Sequence, residues 1–519
     1  MTSTVRRSMR RLLAALIVTM AMVVPPDRAS ADDRLISAVK QRDVAAVRSL
    51  VQARADVNAP GGDGTTALHW AVQADDVDVT TVLIEGGANV TAANRLGVTP
   101  LALAATNGNA RLIDALLKAG ADPNESTPEG ETVLMTASRT GSSSAVELLL
   151  EAGAGVNATE SWRGETALMW AAAQDHAEVV TLLVAHGAAT DARSRMLTFP
   201  NVRYNLATHA TLPPPQGGFT ALMFAARQGA VGAAEVLADA HADLNVQDPD
   251  GTPALTIAIV NGHHDVARLL LERGANPNVA DTAGMTPLYA AVELHTTEMY
   301  PERRALRPPS GSVSTIELIR LLLAKKAQPD SPLEAVTLRW GRRRGPGDGA
   351  LANGATPLMR AARFADVEVM RLLLDAGADP ALKQKDQTTV LMLAAGAGWR
   401  TGETILGGLD YGPESDAIGA VKLCLERGAD VHATDEDGLT ALHHAVPRGA
   451  GVVQLLVDHG ASVDTKDKRG RLPLDVAEGV RLPGEATRMK TSTLREASAR
   501  LLRQLTPARS TSNVPQPTR

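Results

Sequence analysis

Residues 164–188 read GETALMWAAAQDHAEVVTLLVAHGA. Two short stretches in this segment carry apolar residues at helical spacing. Leu168, Ala171 and Ala172 form one narrow stripe, and Val179, Leu182 and Leu183 form another. The polar break Gln174-Asp175-His176 separates them, and Gly187 stands where a left-handed helix C-cap belongs. Thr166 precedes the first stretch and can cap it through its hydroxyl. Neither helix is long enough to persist alone, because isolated helices below roughly 12–15 residues are marginal in water. The stripes must be buried against something outside the segment.

The same pattern recurs along the chain. Related starts are TALH at Thr66, TPLA at Thr99, TVLM at Thr132, TALM at Thr220 and TPLY at Thr286. They continue as TPLM at Thr356, TVLM at Thr389 and TALH at Thr440, with PALT at Pro253 and LPLD at Leu472 in the same slot. Successive starts lie 33, 33, 34, 54, 33, 33, 70, 33, 51 and 32 residues apart, so the period is 33. Residues 35–38 sit one period before residues 68–71, which adds an N-terminal repeat and brings the number to about twelve. Pro100, Pro287 and Pro357 occupy the first helical turn, where no N–H is needed. Asp/Asn-rich turns such as Gly86-Gly87-Ala88-Asn89-Val90 close each repeat. Each repeat presents the faces that its neighbours need to cover.

These residues resemble the ankyrin repeat family. TALHWA at 66–71 and GADVHATDEDGLTALHHA at 428–445 are close matches, and the resemblance spans nearly all of residues 33–505. It implies an all-α repeat solenoid of helix-turn-helix repeats joined by β-hairpin-like loops. It also implies a protein-binding module rather than an enzyme, on a scaffold whose specificity lies in its surface.

Four stretches exceed the period: about 193–216, 294–313, 333–354 and 398–416. They hold Phe199, Tyr204, Tyr300, Trp340, Trp399 and Tyr411, six of the thirteen aromatic residues in the chain. Disordered loops are poor in aromatics, so these loops are expected to dock, either on the repeats or on a partner. The stretch around Trp340, with Arg339, Arg342, Arg343 and Arg344, is basic and Gly-rich and suits an exposed solvated loop, or a docking point for an acidic surface, better than a nucleic-acid contact.

The N-terminus has the layout of a targeting segment. Arg6, Arg7, Arg10 and Arg11 precede the thirteen-residue apolar run LLAALIVTMAMVV, and Ala29-Ser30-Ala31 fits a cleavage site. The run is short for a membrane span of about 20 residues. Residues 1–31 are therefore expected to be a signal peptide, 32–505 the solenoid and 506–519 a disordered Ser/Thr/Pro-rich tail. Removing residues 1–31 leaves 47 basic and 57 acidic residues, a net charge of −10. With no basic stripe, nucleic-acid binding is not expected. A soluble, periplasmic or secreted monomer without membrane attachment is. The single Cys424 excludes an intrachain disulfide. The Arg-rich, Lys-poor composition, 42 Arg against 10 Lys, fits a bacterial origin.

In the family's fold the second residue after each first-helix Leu faces the inner groove. Here that series is Trp70, Leu103, Thr136, Trp170, Phe224, Ile257, Ala290, Arg360, Leu393 and His444. A further groove position holds Arg139, Arg227 and Arg363, while Trp162 and Arg163 lie at a hairpin tip. An apolar stripe edged with Arg suits a recognition surface; the same large side chains would also serve to fill space between successive first helices. The partner-binding candidates are thus Trp70, Arg139, Trp162, Arg163, Trp170, Phe224, Arg227, Trp340 and Arg363. The main site is expected at the repeats starting at Thr132, Thr166 and Thr220.

No GxSxG, HExxH or phosphate-loop pattern occurs. His69 and His443 stand in the family's structural His slot, and His263 in its Asn-Gly-His turn. No catalytic residue, cofactor or metal site is expected. The leading reading is an exported interaction scaffold. The alternatives are an inhibitor or protective partner of an enzyme or toxin, and an enzyme whose site is built by the insertions. N-terminal sequencing of exported material should find Asp32 or a neighbour first; an intact Met1 on a membrane-bound form would contradict cleavage.

Overall fold

The computed structural model describes residues 31–196, 217–299, 311–334, 351, 354–397, 413–480 and 493–506. Residues 1–30 of the expected 1–31 signal peptide, the greater part of each insertion and the tail from 507 lie outside the described residues. Contacts divide the chain into two compact units, Met1–Ser161 and Trp162–Arg519.

Four helix pairs make the N-terminal unit: α1 (Ala31–Lys40) with α2 (Val44–Gln52), α3 (Ala67–Gln73) with α4 (Val77–Glu85), α5 (Pro100–Asn107) with α6 (Ala110–Lys118), and α7 (Val133–Thr140) with α8 (Ser143–Glu151). The C-terminal unit begins with α9 (Ala167–Ala173) and α10 (Ala177–Ala185), α11 (Ala221–Gln228) and α12 (Val231–Asp239), and α13 (Ala254–Val260) and α14 (His264–Glu272). It continues with α15 (Pro287–Glu298) and α16 (Thr315–Ala324), α17 (Pro357–Arg363) and α18 (Val367–Asp375), and α19 (Val390–Ala395) and α20 (Glu414–Glu426). It ends with α21 (Ala441–Ala445) and α22 (Ala450–Asp458), then α23 (Pro473–Glu478) and the long α24 (Thr493–Leu505). Within each unit, first helices stack on first helices and second on second. No β-sheet forms among the described residues; single antiparallel bridges such as Gln247–Pro253 close the hairpins. The fold is an all-α repeat solenoid.

The stripes read in residues 164–188 face the core except at Leu182, which is only partly buried while Val180 is buried in its stead. Leu168, Ala171, Ala172, Val179 and Leu183 are each at most 1% exposed. Ala at the first-helix stripe lets neighbouring helices approach closely, so packing replaces the length these helices lack.

The helix starts show why Thr recurs. Thr166 is extended, and its hydroxyl accepts from the Met169 N–H at 3.3 Å. The residue three after Thr returns the favour. In the Thr66 repeat, the Thr66 N–H donates to His69 Nδ1 at 3.2 Å. His69 Nε2 then lies 3.0 Å from the Val98 carbonyl of the next hairpin. With Nδ1 accepting, Nε2 carries the proton, and burial holds the imidazole below its ordinary pKa. His443 repeats the arrangement with Thr440 and the Arg471 carbonyl. Where Met replaces His, sulfur stands in: the N–H groups of Thr132, Thr356 and Thr389 point at Met135, Met359 and Met392 Sδ at 3.4, 3.4 and 3.5 Å.

The hairpins interlock by polar bonds. Asn58 Nδ2 donates to the Gly87 carbonyl at 3.1 Å and its Oδ1 accepts from the Asn89 N–H. Asn124 does the same with Gly153 and Gly155, and Asn278 with Lys326 and Gln328. At many of the tips one backbone bond joins a hairpin to the next, as in Arg95 N–H to the Asp63 carbonyl (3.0 Å) and Thr282 N–H to the Asp250 carbonyl (2.8 Å). Gly251 has φ +85°, and a Cβ there would sit 3.0 Å from the Thr282 nitrogen, inside that bond.

The hairpin insertions leave this ladder closed. Ser194 and Phe219 pair across the first, and Leu333 and Ala355 across the third. The other two begin and end differently from the sequence expectation. Residues up to Glu298 continue α15, because no glycine stops the helix where Gly108, Gly141 and Gly229 stop theirs. Ser312 is held on Asp265 by its N–H and hydroxyl, and the Val313 carbonyl lies 2.9 Å from His264 Nδ1. Residues 414–416 open α20, with Glu414 and Asp416 in its first turn, favourable at a helix N-terminus.

One ionic contact ties repeats together beside the second insertion. His295 Nδ1 lies 2.6 Å from Asp366 Oδ2, while Asp366 Oδ1 caps α18 at Val369. Burial opposes a charged His295, but the Asp366 hydrogen bond and charge outweigh it and raise its pKa. Because the folded value is raised, the stabilisation is complete below the ordinary His pKa of about 6.5 and is lost as pH climbs through the raised value. His295→Ala should therefore lower the melting temperature more at pH 6 than at pH 9; an equal loss at both would contradict the ionic role.

Candidate partner-binding surface

The candidate residues fall into three groups once their surroundings are known. Trp162 and Arg163 occupy the hairpin tip before α9. Trp162 is 63% exposed, and the Arg163 guanidinium lies 4.4 Å from its ring centroid. Arg163 also lies 3.8 Å from the Glu165 carboxylate. In the next hairpin, the Arg195 N–H donates to the Arg163 carbonyl, and Met196 follows at 51% exposure. Trp170, on α9, is partly exposed.

Arg227, in the last turn of α11, lies over two rings. Its guanidinium lies 4.8 Å from the Phe224 centroid and 5.3 Å from that of Phe219. The two rings meet edge to face at 5.7 Å. Burial lowers the Arg227 pKa, with the charge of Glu165 opposing that shift and Arg163 adding to it. The Arg227 Nε is buried with no hydrogen-bond partner among the described residues.

Two candidates sit in the N-terminal unit. The Lys40 ammonium lies 4.0 Å above the Trp70 ring, which is partly exposed. Arg139 is exposed and pairs with Glu131 at 3.2 Å, and Glu131 also accepts from the Thr136 hydroxyl at 2.8 Å.

The inner-groove reading needs correction at several positions. Phe224 is only 5% exposed, covered by Phe219 and Arg227. Arg363 is 3% exposed and donates to the Ala397 carbonyl of the next repeat, so it lines no open groove. Arg360 is 9% exposed, stacked on Phe364 and bonded to Thr296. Thr136, Ile257, Ala290 and Leu393 are buried as well. In most repeats the adjoining first helices close over this position. Trp340 lies outside the described residues, as do Phe199, Tyr204, Tyr300, Trp399 and Tyr411.

Exposure draws attention instead to the hairpin edge. Among the described residues six large apolar side chains are exposed, and Leu96 (81%), Trp162 and Met196 stand at hairpin tips. Leu96 and Met196 were not among the candidates. A comparison of tip positions would have exposed them, because these places otherwise hold turn residues such as Asp and Gly.

The chemistry-bearing residues have structural partners. His263 Nε2 lies 3.2 Å from the Arg227 carbonyl, and His444 Nε2 3.0 Å from Asp435. Asp435 accepts the N–H groups of Asp437 and Leu439, as a hairpin Asx turn requires. Cys424 is buried in α20, which pushes its thiol up to about 12. Among the described residues no group of three or more His, Cys, Asp or Glu is placed to hold a metal ion. No described helix is long and apolar enough to cross a membrane.

The profile for ankyrin repeats in three copies matches residues 35–127, 101–194, 222–300 and 414–480, and the single-repeat profile matches 353–385. The chain belongs to the ankyrin repeat family. It is 30% identical over 228 residues to ankyrin repeat and SOCS box protein 16 of Mus musculus, covering 44% of this chain and 40% of that protein. It is 24% identical over 275 residues to the E3 ubiquitin-protein ligase KEG of Arabidopsis thaliana, covering 46% of this chain and 15% of that one. With human transient receptor potential cation channel subfamily A member 1 it shares 25% identity over 289 residues, 26% of that protein's length. The chain thus spans less than half of each of these relatives.

Burial separates the surface from the ankyrin core. Leu168→Ala should destabilise by about 2–5 kcal/mol and Phe224→Ala by about 3–5 kcal/mol through cavity formation. Trp162→Ala should stay within about 0.5 kcal/mol of the parent, as exposed substitutions do. Denaturant melts of the three variants check this; a Trp162→Ala variant as unstable as Leu168→Ala would make Trp162 core.

Proposed function

We propose that this ankyrin repeat chain is an exported scaffold that binds a partner protein through the hairpin edge of the repeats starting at Thr166 and Thr220. The observation that carries the reading is the exposure of large apolar side chains at hairpin tips, with Trp162 and Met196 on successive hairpins. Exposed aromatic and Met side chains flanked by arginine are what interface anchors are made of. Arg163, Trp170 and Arg227 complete the set on the C-terminal unit. On the N-terminal unit, taken by itself, Trp70 and Arg139 are the corresponding candidates, and Leu96 is the exposed tip residue. Trp340, in the third insertion, is a further proposed contact.

The scaffold reading needs no catalysis. The repeats supply rigid backbone, and the tips supply side chains that folding does not use. Export rests on the arginine-flanked apolar run and the Ala29-Ser30-Ala31 motif. A periplasmic or secreted partner follows from that.

A pull-down from the envelope fraction followed by titration tests this. Trp162→Ala, Trp170→Ala and Arg227→Ala should each weaken binding by about 1–2 kcal/mol. Arg363→Ala should act through stability alone. Variants that bind normally at all three tip and groove positions would remove the surface from consideration.

A further inference from the structure

We infer that the Trp162–Arg227 patch takes an acidic peptide segment, with an apolar residue beside a carboxylate. The inference rests on the protein-binding reading above and deepens it by naming the chemistry of the partner.

The argument starts from Arg227. Its guanidinium lies 4.8 Å from the Phe224 ring centroid and 5.3 Å from that of Phe219, and burial there takes away much of its hydration. Its buried Nε has no hydrogen-bond partner among the described residues. Glu165 acts on it through space, and Arg163 repels it. An arginine so placed has already lost water on folding without gaining a carboxylate in contact. A partner carboxylate would form charge-assisted bonds to the guanidinium while the desolvation cost on this side is already borne.

Glu165 is the negative group at this patch, beside Arg163, and the exposed tips around it are positive. Arg163 and Arg195 sit on successive hairpin tips linked by their backbones, both exposed. The whole chain carries −6, so this local positive field stands against the general charge and would select a locally acidic segment. Trp162 and Met196 supply the apolar part. Trp offers a rigid face and Met an adaptable one. The first insertion departs after Met196 and returns at Gly217, leaving both its ends at this edge.

Selection from a phage library of short random peptides on the immobilised full chain tests the inference. Selected peptides should be enriched in Asp or Glu next to Trp, Phe, Leu or Met. A selected peptide, synthesised, should bind about tenfold or more weakly after its Asp and Glu are changed to Asn and Gln, and weaken as salt rises. Arg227→Gln and the exposed Arg163→Gln should each cost affinity, while Arg227→Lys should retain part of it; melting curves keep folding apart from binding. Neutral or basic peptides, or acidic ones indifferent to Arg227→Gln and Arg163→Gln, overturn the acidic class while leaving a protein-binding surface in place. No selected peptide at all overturns both readings. Selection only after residues 197–216 are replaced by a Gly-Ser linker makes the insertion the occupant and also overturns the inference.

Discussion

Short helices impose the constraint on which the rest of this structure depends. First helices such as α9, with seven residues, cannot hold their own hydrogen bonds against water. They persist because each side of a repeat is covered by the same face of a neighbour. Alanine at Ala171 and Ala172 serves this need, since a larger residue would hold the stacked helices apart. The same constraint decides where extra chain can be tolerated. Insertions occur at hairpins and between paired helices, and the Ser194–Phe219 and Leu333–Ala355 contacts show the ladder closing again behind two of them.

Stacking also brings polar groups inside, and each is answered locally. A Thr at the helix start needs a partner for its N–H, and His69, His443 or a Met sulfur provides it. His69 and His443 each have burial depressing their pKa, as expected for neutral imidazoles serving as hydrogen-bond bridges between repeats. His295 is the opposite case, held toward its charged form by Asp366. The difference lies in the partner: a backbone carbonyl accepts from a neutral ring, whereas a buried carboxylate favours a charged one. The fold is thus joined by hydrogen bonds and packing, with Cys424 buried and unable to form an intrachain disulfide.

The fold was legible in the sequence because its signals are local and repeated. The Thr start, the paired apolar stripes and the Gly after most second helices recur often enough for the period to stand out. The site was less legible. Leu168 and Trp170 differ by two positions, and periodicity alone does not say how far the neighbouring first helix covers each groove residue. Hence Phe224, Arg360 and Arg363 read as surface and are buried, because Phe219, Phe364 and the Ala397 carbonyl lie over or against them. Met196 and Leu96 were missed for the converse reason: a hairpin tip has no period that marks an apolar residue as out of place. The continuation of α15 to Glu298 was missed because a helix without a stop signal looks like the start of a loop.

What distinguishes this array from a purely structural stack is the division of labour along each repeat. The stripes are spent on neighbours, while the tips at Trp162 and Met196 present side chains the fold does not require. Site-specific photo-crosslinking in the native cell tests that division directly. A photoreactive amino acid placed at Trp162 should yield a discrete heteromeric adduct, whereas one at Thr181, exposed on the opposite helix α10, should not. Adducts from position 181 with none from position 162 would contradict the account.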